Sequence, residues 1–238
     1  MRLQMRAAQV VFRAKENVMP MLIDKLKPES TALIVIDMQN DFIAHGAPLE
    51  TPMGFELLPR LKKLINHARK NGMKVIFTAH AHRHDGCDMG LFGEIYQPIR
   101  DRVGLVDESV GIEIYPDVAP YGDEVVIKKR RYSAFFGTDL DIILRTEKIE
   151  TVVVTGVTTE NCCHATARDA MFRGYRVAFI SDATGTYDYP DVGFGRIPAQ
   201  EVHRITLGVL AVSTAHVMTT DELIEKTLLN RVSDPPAE

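Results

Sequence analysis

The sequence predicts an α/β protein: a three-layer α-β-α, Rossmann-like arrangement, with a mostly parallel sheet of about six strands and helices on both faces. Two observations carry this. Short apolar runs rich in β-branched residues recur along the chain, as in Thr31-Ala-Leu-Ile-Val-Ile-Asp37 and Thr151-Val-Val-Val-Thr-Gly156. They are apolar throughout rather than alternating, the mark of strands buried on both faces. Between them lie segments of helical period, as in Leu57, Leu58, Leu61, Leu64, Ile65 and Ala68.

Residues 1–30 read as a polar N-terminal arm without a clear period, suited to packing on a neighbouring subunit or to lying on the surface. The domain follows over 31–230. The first strand ends at Asp37. The first long helix, 55–71, is closed by Asn71-Gly72. Met73–Ala79 is the second strand. The segment 80–122 is rich in His, Asp, Gly and Pro, and too long for an idle connection. Glu124–Lys128 is the third strand, and 138–147 a helix capped by Thr138. Thr151–Gly156 is the fourth strand, and 160–173 a helix stopped by Gly174. Tyr175–Ile180 is the fifth strand, closed by Ser181-Asp182. A helix at 197–211, a weak strand at 215–218 and a helix at 221–229, capped by Thr219 or Thr220, complete the domain. The end, 231–238, reads as a flexible tail.

Bulk properties narrow the function. A 238-residue chain with 45% hydrophobic and 25% charged residues is ordinary for a soluble globular protein. The net charge of −4 gives no footprint for nucleic acid or an anionic membrane. No run approaches the roughly 20 apolar residues of a membrane span, and the first residues lack the shape of a secretory signal. Cys87, Cys162 and Cys163 are an odd number with two adjacent, a poor disulfide framework. A reducing, cytoplasmic setting is expected.

Ligands of open parallel sheets bind outside the carboxyl ends of the strands. Three such ends carry reactive groups: Asp37-Met-Gln-Asn-Asp-Phe42, Lys128-Lys-Arg-Arg-Tyr-Ser133 and Gly156-Val-Thr-Thr-Glu-Asn-Cys-Cys163. Cys162 falls in the first turn of an expected helix, where the helix dipole favours the thiolate. Local context alone leaves the vicinal cysteines equally readable as small buried apolar groups. Cys163 points about 100° away, so one thiol at most faces a site. Likewise only one of Lys128 and Lys129 can point into a given site. By itself the Lys-Lys-Arg-Arg run reads more simply as a solvated strand end. Asp37, after a wholly apolar strand, is either a cap or a proton acceptor for a neighbouring thiol.

Together these segments resemble the isochorismatase-like cysteine hydrolase superfamily. The likeness rests on Asp37-Met-Gln-Asn-Asp-Phe42, Lys129-Arg-Arg-Tyr-Ser-Ala-Phe-Phe136 and Gly156-Val-Thr-Thr-x-x-Cys162, with Ala167-Arg-Asp-Ala170 and Ser181-Asp-Ala-Thr184 downstream. It implies a catalytic triad of Asp37, Lys129 and Cys162, and a cis peptide between Val157 and Thr158. The N–H groups of Thr158 and Cys162 would receive an oxyanion. It also implies hydrolysis of a C–N amide bond through a thioester, without a cofactor, and a homo-oligomer such as a dimer or tetramer. The cysteine argues against the vinyl-ether-cleaving isochorismatases, which need no thiol. Nicotinamidases of this superfamily carry a metal-binding Asp-x-His after the second strand. Here His80-Ala-His82-Arg-His84 occupies that place, so no metal is expected, and His80 and His82 are candidates for the pocket wall. Tyr132-Ser-Ala-Phe-Phe136 resembles the amidohydrolases of ureides and carbamoyl compounds. The expected substrate is a small ureide such as biuret, triuret, ureidoacrylate or a carbamoyl amino acid, with nicotinamide as the alternative. Phe42, Tyr132, Phe135 and Phe136 are further wall candidates, with Tyr187 and Gln200 as polar contacts.

Overall fold

A computed structural model describes residues 20–232. Six strands form one sheet: β1 (Thr31–Ile36), β2 (Lys74–His80), β3 (Val125–Lys129), β4 (Thr151–Val157), β5 (Arg176–Gly185) and β6 (His216–Met218). Their order is β3-β2-β1-β4-β5-β6, and every neighbouring pair is parallel. The chain winds outward from β1 to β3, then returns to the other side of β1 with β4. The crevice of such a sheet opens where the winding reverses, between β1 and β4.

Five helices of seven residues or more cover it: α1 (Leu58–Asn71), α2 (Leu140–Thr146), α3 (His164–Phe172), α4 (Ala199–Ser213) and α5 (Thr220–Val232). Two buried clusters show how the layers form. Leu33, Val35, Val75, Phe77 and Val153 meet Leu61, Leu64 and Ile65 of α1 and Leu223 of α5. Ala32, Ile34, Ile76, Val152 and Val154, the alternate residues of the same strands, meet Leu140, Leu144, Ala167, Ala170 and Leu210 of α2, α3 and α4. Continuous apolar strands therefore feed two cores, because successive side chains point to opposite faces.

Punctuation residues act where expected. Gly72 (φ +75°) and Gly174 (φ +86°) end α1 and α3 in left-handed conformations. Thr219 and Glu222 form a reciprocal cap at the start of α5: each backbone N–H donates to the other's side chain, at 2.6 Å and 3.3 Å. Thr138, two residues before α2, accepts the Leu140 N–H at 3.3 Å.

Three expectations change. Ser181-Asp182 does not close β5. The strand bulges there and resumes pairing, Gly156 with Thr184 and Val157 with Gly185. The two polar side chains are absorbed locally: Ser181 donates to the Met218 carbonyl at 3.2 Å, and Asp182 Oδ1 accepts the Thr220 N–H at 2.7 Å. Second, the helix expected over 160–173 begins as a π-helical turn, Thr159–Cys163, before α3. Third, the described part of the N-terminal arm packs on its own domain. Ile23 and Leu26 are buried, and their N–H groups donate to His216 Nδ1 and the Lys226 carbonyl. Residues 1–19 and 233–238, the rest of the expected arm and most of the expected tail, lie outside the described residues. Among the described residues, no helix is long and apolar enough to cross a membrane.

Candidate active site

The segment after β1 shows how the sequence builds the site. Asp37 takes a left-handed backbone (φ +50°), which Asp tolerates better than most residues. Its N–H is held by the Thr78 carbonyl at 3.2 Å and the Thr78 hydroxyl at 3.1 Å. That hydroxyl in turn donates to Asp37 Oδ1 at 2.6 Å. The Gln39 side chain copies a strand partner: it donates to the His80 carbonyl at 2.9 Å and accepts the His80 N–H at 2.8 Å. Asn40 donates to the Val110 carbonyl at 2.8 Å. Asp41 accepts the Leu105 N–H at 2.6 Å, and burial raises its carboxyl pKa. The polar residues of Asp37–Phe42 thus tie the long 80–122 segment over the sheet edge, and Phe42 is left facing the cavity.

Lys129 ends β3, paired in register with His80 of β2. The site lies two strands away, about 10 Å at the usual strand spacing. A long side chain bridges that gap. Its ammonium sits 2.7 Å from Asp37 Oδ2 and donates to Cys162 Sγ at 3.3 Å and to the Arg131 carbonyl at 3.1 Å. Asp37 and Lys129 are both fully buried. Lys128 points the other way and pairs with Asp107 at 2.6 Å in partly exposed surroundings. Strand alternation thus picks one lysine of the two.

Cys162 lies on the π-turn after β4. The peptide preceding that turn, Val157–Thr158, is cis. Thr159 within the turn is bridged to His203 of α4 at 2.8 Å, and the His203 ring contacts the Ser181 carbonyl at 3.0 Å. Cys163 is directed to the opposite side, its Sγ 3.7 Å from the Thr155 carbonyl.

Burial works against the thiolate that the helix position favours. Burial pushes the Cys162 thiol well above its ordinary range; Lys129 pulls it down, and the Asp37 carboxylate pushes it up again. Burial opposes the charge of Lys129, but Asp37 and Cys162 more than compensate and hold its pKa above normal. Burial therefore favours the neutral thiol at Cys162, while Lys129 is kept as an ammonium beside Asp37. Desolvation disfavours the charged thiolate, and it is the largest influence on this thiol.

A cavity of about 260 Å³ opens above this group. Cys162 and Thr158 line its floor. Phe42, His80, Tyr132 and Tyr187 line its walls, as the sequence suggested. Phe92, Tyr96 and Asn161 join them and were not anticipated. The four-residue spacing of Phe92 and Tyr96 in the 80–122 segment was their only signal. Tyr96 and Tyr132 join hydroxyls at 2.9 Å.

Four expected contacts lie elsewhere. Phe135 is buried in the core behind the site, stacked 6.1 Å from Tyr175. Phe136, the next residue, is 62% exposed. Gln200 is exposed on the first turn of α4. His82 is buried behind His80, with ring centroids 4.9 Å apart and its Nδ1 3.4 Å from Asp88. His84 lies outside, 3.6 Å from Glu108, so the three imidazoles do not converge. Burial and then Lys129 hold the His80 pKa well below normal, leaving a neutral ring. Among the described residues, one set of potential metal ligands clusters: Asp37, His80 and Cys162, with ligand atoms within 4.8 Å of one another. The Lys129 ammonium already lies against two of the three, so the chain supplies its own cation there.

Comparison with known proteins identifies the family. Residues 31–222 match the model of the isochorismatase domain. The structure superposes on a cysteine hydrolase of Pseudomonas syringae with a TM-score of 0.84 and 36% identity, covering 87% of this chain and 97% of that one. Nicotinamidase 3 of Arabidopsis thaliana is 33% identical over 199 residues, covering 84% of this chain and 89% of the relative. A ureidoacrylate amidohydrolase of Serratia proteamaculans is 31% identical over 175 residues, covering 66% and 70%. With its three-layer parallel fold and a domain match running from β1 into α5, this chain belongs to the isochorismatase family of hydrolases.

Proposed function

We propose that the chain is a cysteine amidohydrolase that cleaves the C–N bond of a small ureide or carbamoyl compound through a thioester. One observation carries this reading: the Lys129 ammonium is wedged between the Asp37 carboxylate (2.7 Å) and the Cys162 sulfur (3.3 Å), beneath a cavity that Cys162 lines.

The chemistry follows from the resting protonation. The Cys162 thiol is neutral, so it needs a base as it attacks, and Asp37 is the carboxylate beside it. The proton passes to Asp37 as Sγ bonds to the substrate carbonyl carbon. The carbonyl π electrons move to oxygen, and the N–H groups of Thr158 and Cys162 receive that oxyanion. Lys129 holds the negative charge shared between sulfur and carboxylate. Collapse of the intermediate expels nitrogen, which takes the proton from Asp37 and leaves as ammonia or an amine. Water, deprotonated by Asp37, then attacks the thioester, and the thiolate leaves with that proton.

A second reading is favoured by the cavity wall. Phe42, Phe92, Tyr96, Tyr132 and Tyr187 present aromatic surface suited to a flat ring. A nicotinamidase-type carboxamide would use the same three residues. Ammonia release by the purified enzyme over biuret, triuret, ureidoacrylate, N-carbamoylsarcosine and nicotinamide separates the two, with Cys162→Ser in parallel. Turnover of a ureide lost in the variant supports the first reading. Turnover of nicotinamide alone moves the chain to the second. Full activity in Cys162→Ser removes both.

A further inference from the structure

The charge inventory of the cavity points to a selection that the family likeness leaves open. Among the described residues that line it, one side chain carries a formal charge, and that charge is negative: Glu50. Its carboxylate accepts from His45 Nδ1 at 2.9 Å and from the Gly46 N–H at 3.0 Å, and these bonds hold its pKa below normal. The cations nearby lie outside the lining. Lys129 is ion-paired with Asp37. Arg131 lies with its guanidinium carbon 5.6 Å from the Phe92 ring centroid, and its Nη1 donates to the Asp88 and Arg130 carbonyls. It does not line the cavity. His80, which does, is kept neutral.

A carboxylate entering this space would lose water and gain no cation, a cost that unpaired buried charges do not recover. A neutral group fares differently. The Tyr96 hydroxyl bonds those of Tyr132 and Tyr187, so three hydroxyls share two hydrogen bonds, which leaves one O–H of the trio to donate and lone pairs to accept. Asn161, whose Nδ2 donates to Glu160 at 3.0 Å and to Tyr189 at 3.3 Å, offers its amide oxygen on another part of the wall. Burial pushes the phenols of Tyr132 and Tyr187 well above their ordinary range, so they stay uncharged.

Resting on the amidohydrolase reading above, we propose that the cavity selects uncharged, flat amides whose far end carries a neutral hydrogen-bonding group received by the Tyr96–Tyr132 pair. It excludes amides that carry a carboxylate. Neutral ureides and carboxamides fit. Carbamoyl amino acids and ureidoacrylate, which are anionic at neutral pH, do not.

Calorimetric titration of the Cys162→Ala enzyme at pH 8 tests this, with Cys162→Ser as a second trapped form. Two pairs differ mainly in charge: hydroxyethylurea against N-carbamoylglycine, and 3-acetylbenzamide against 3-carbamoylbenzoate. The expected result is at least ten-fold tighter binding of a neutral member over its anionic partner. Glu50→Gln narrows that gap, and Tyr132→Phe weakens the neutral member. Equal or tighter binding of the anion overturns the inference. If that preference vanishes in Arg131→Met, Arg131 is the anion's partner. Failure of all four compounds to bind overturns it as well. Turnover by the unmodified enzyme is read separately. Selective binding without turnover leaves the charge selection standing and removes the amidohydrolase reading instead.

Discussion

Replacing Lys129 by methionine keeps most of the side-chain volume and removes the ammonium. The consequence can be worked from the site. Lys129 and Asp37 are both fully buried, 2.7 Å apart, and Thr78 supplies the other carboxylate oxygen with its hydrogen bond. Lys129→Met strands a buried carboxylate, and breaking such a pair from one side costs about 3–5 kcal/mol. In a chain of this size that corresponds to a fall in melting temperature of roughly 6–20 °C. The double variant Asp37→Asn/Lys129→Met removes both charges and should recover much of the loss, because the carboxylate is no longer stranded. Urea titrations of the four proteins close the cycle, and a coupling of about 2 kcal/mol or more is expected for charges in direct contact. If Lys129→Met costs less than about 1 kcal/mol, the range of exposed ion pairs, then the pair is solvated and the argument that the thiol needs Asp37 as its base fails with it.

Other expectations follow from the same geometry. Thr78→Val removes the donor to Asp37 Oδ1 and should cost about 1–3 kcal/mol of stability, together with a loss of kcat; an unchanged urea midpoint would contradict the buried bond. Cys162 and Cys163 both have thiol pKa values raised by burial. Protons that the unfolded chain releases above about pH 8.5 are retained when folded, so stability should fall as pH rises beyond that point and be unaffected by these groups below it. Replacing both cysteines by alanine should flatten that part of the curve. Gly156 has φ +103°, and a Cβ there would overlap the Ile36 carbonyl oxygen; Gly156→Ala should reduce soluble yield and melting temperature sharply. Asp41→Asn keeps the shape but weakens the charge-assisted hold on the Leu105 N–H, so KM should rise more than kcat falls in steady-state assays.

The periodicities in the sequence specify the layers because each records a local rule. Runs apolar at every position become strands with a core on either face. The 3.6-residue repeat of Leu58–Ala68 becomes a helix with one buried side. Gly72 and Gly174 stop helices because a left-handed residue is needed there. Ser181-Asp182 misled because two polar residues end a strand as plausibly as they bulge it. The choice was made by Met218 and Thr220, which lie far along the chain and accept or supply their hydrogen bonds.

The site divides in the same way. Sequence determined that an acid, an amine and a thiol stand at three strand ends, and strand alternation could leave only one of two lysines facing them. The tertiary structure decided the rest. It set the thiol's protonation, because desolvation depends on everything packed around Cys162 rather than on the turn that carries it. It assigned the wall to Phe92 and Tyr96, from a long segment pinned down by Asn40 and Asp41. It sent Phe135 to the core and Phe136 to the surface, since neighbouring residues of a loop have no fixed period to say which one faces the cavity. Local rules are written in neighbouring residues. Which side chains enclose a cavity, and what charge they carry there, depends on groups brought together only when the chain has folded.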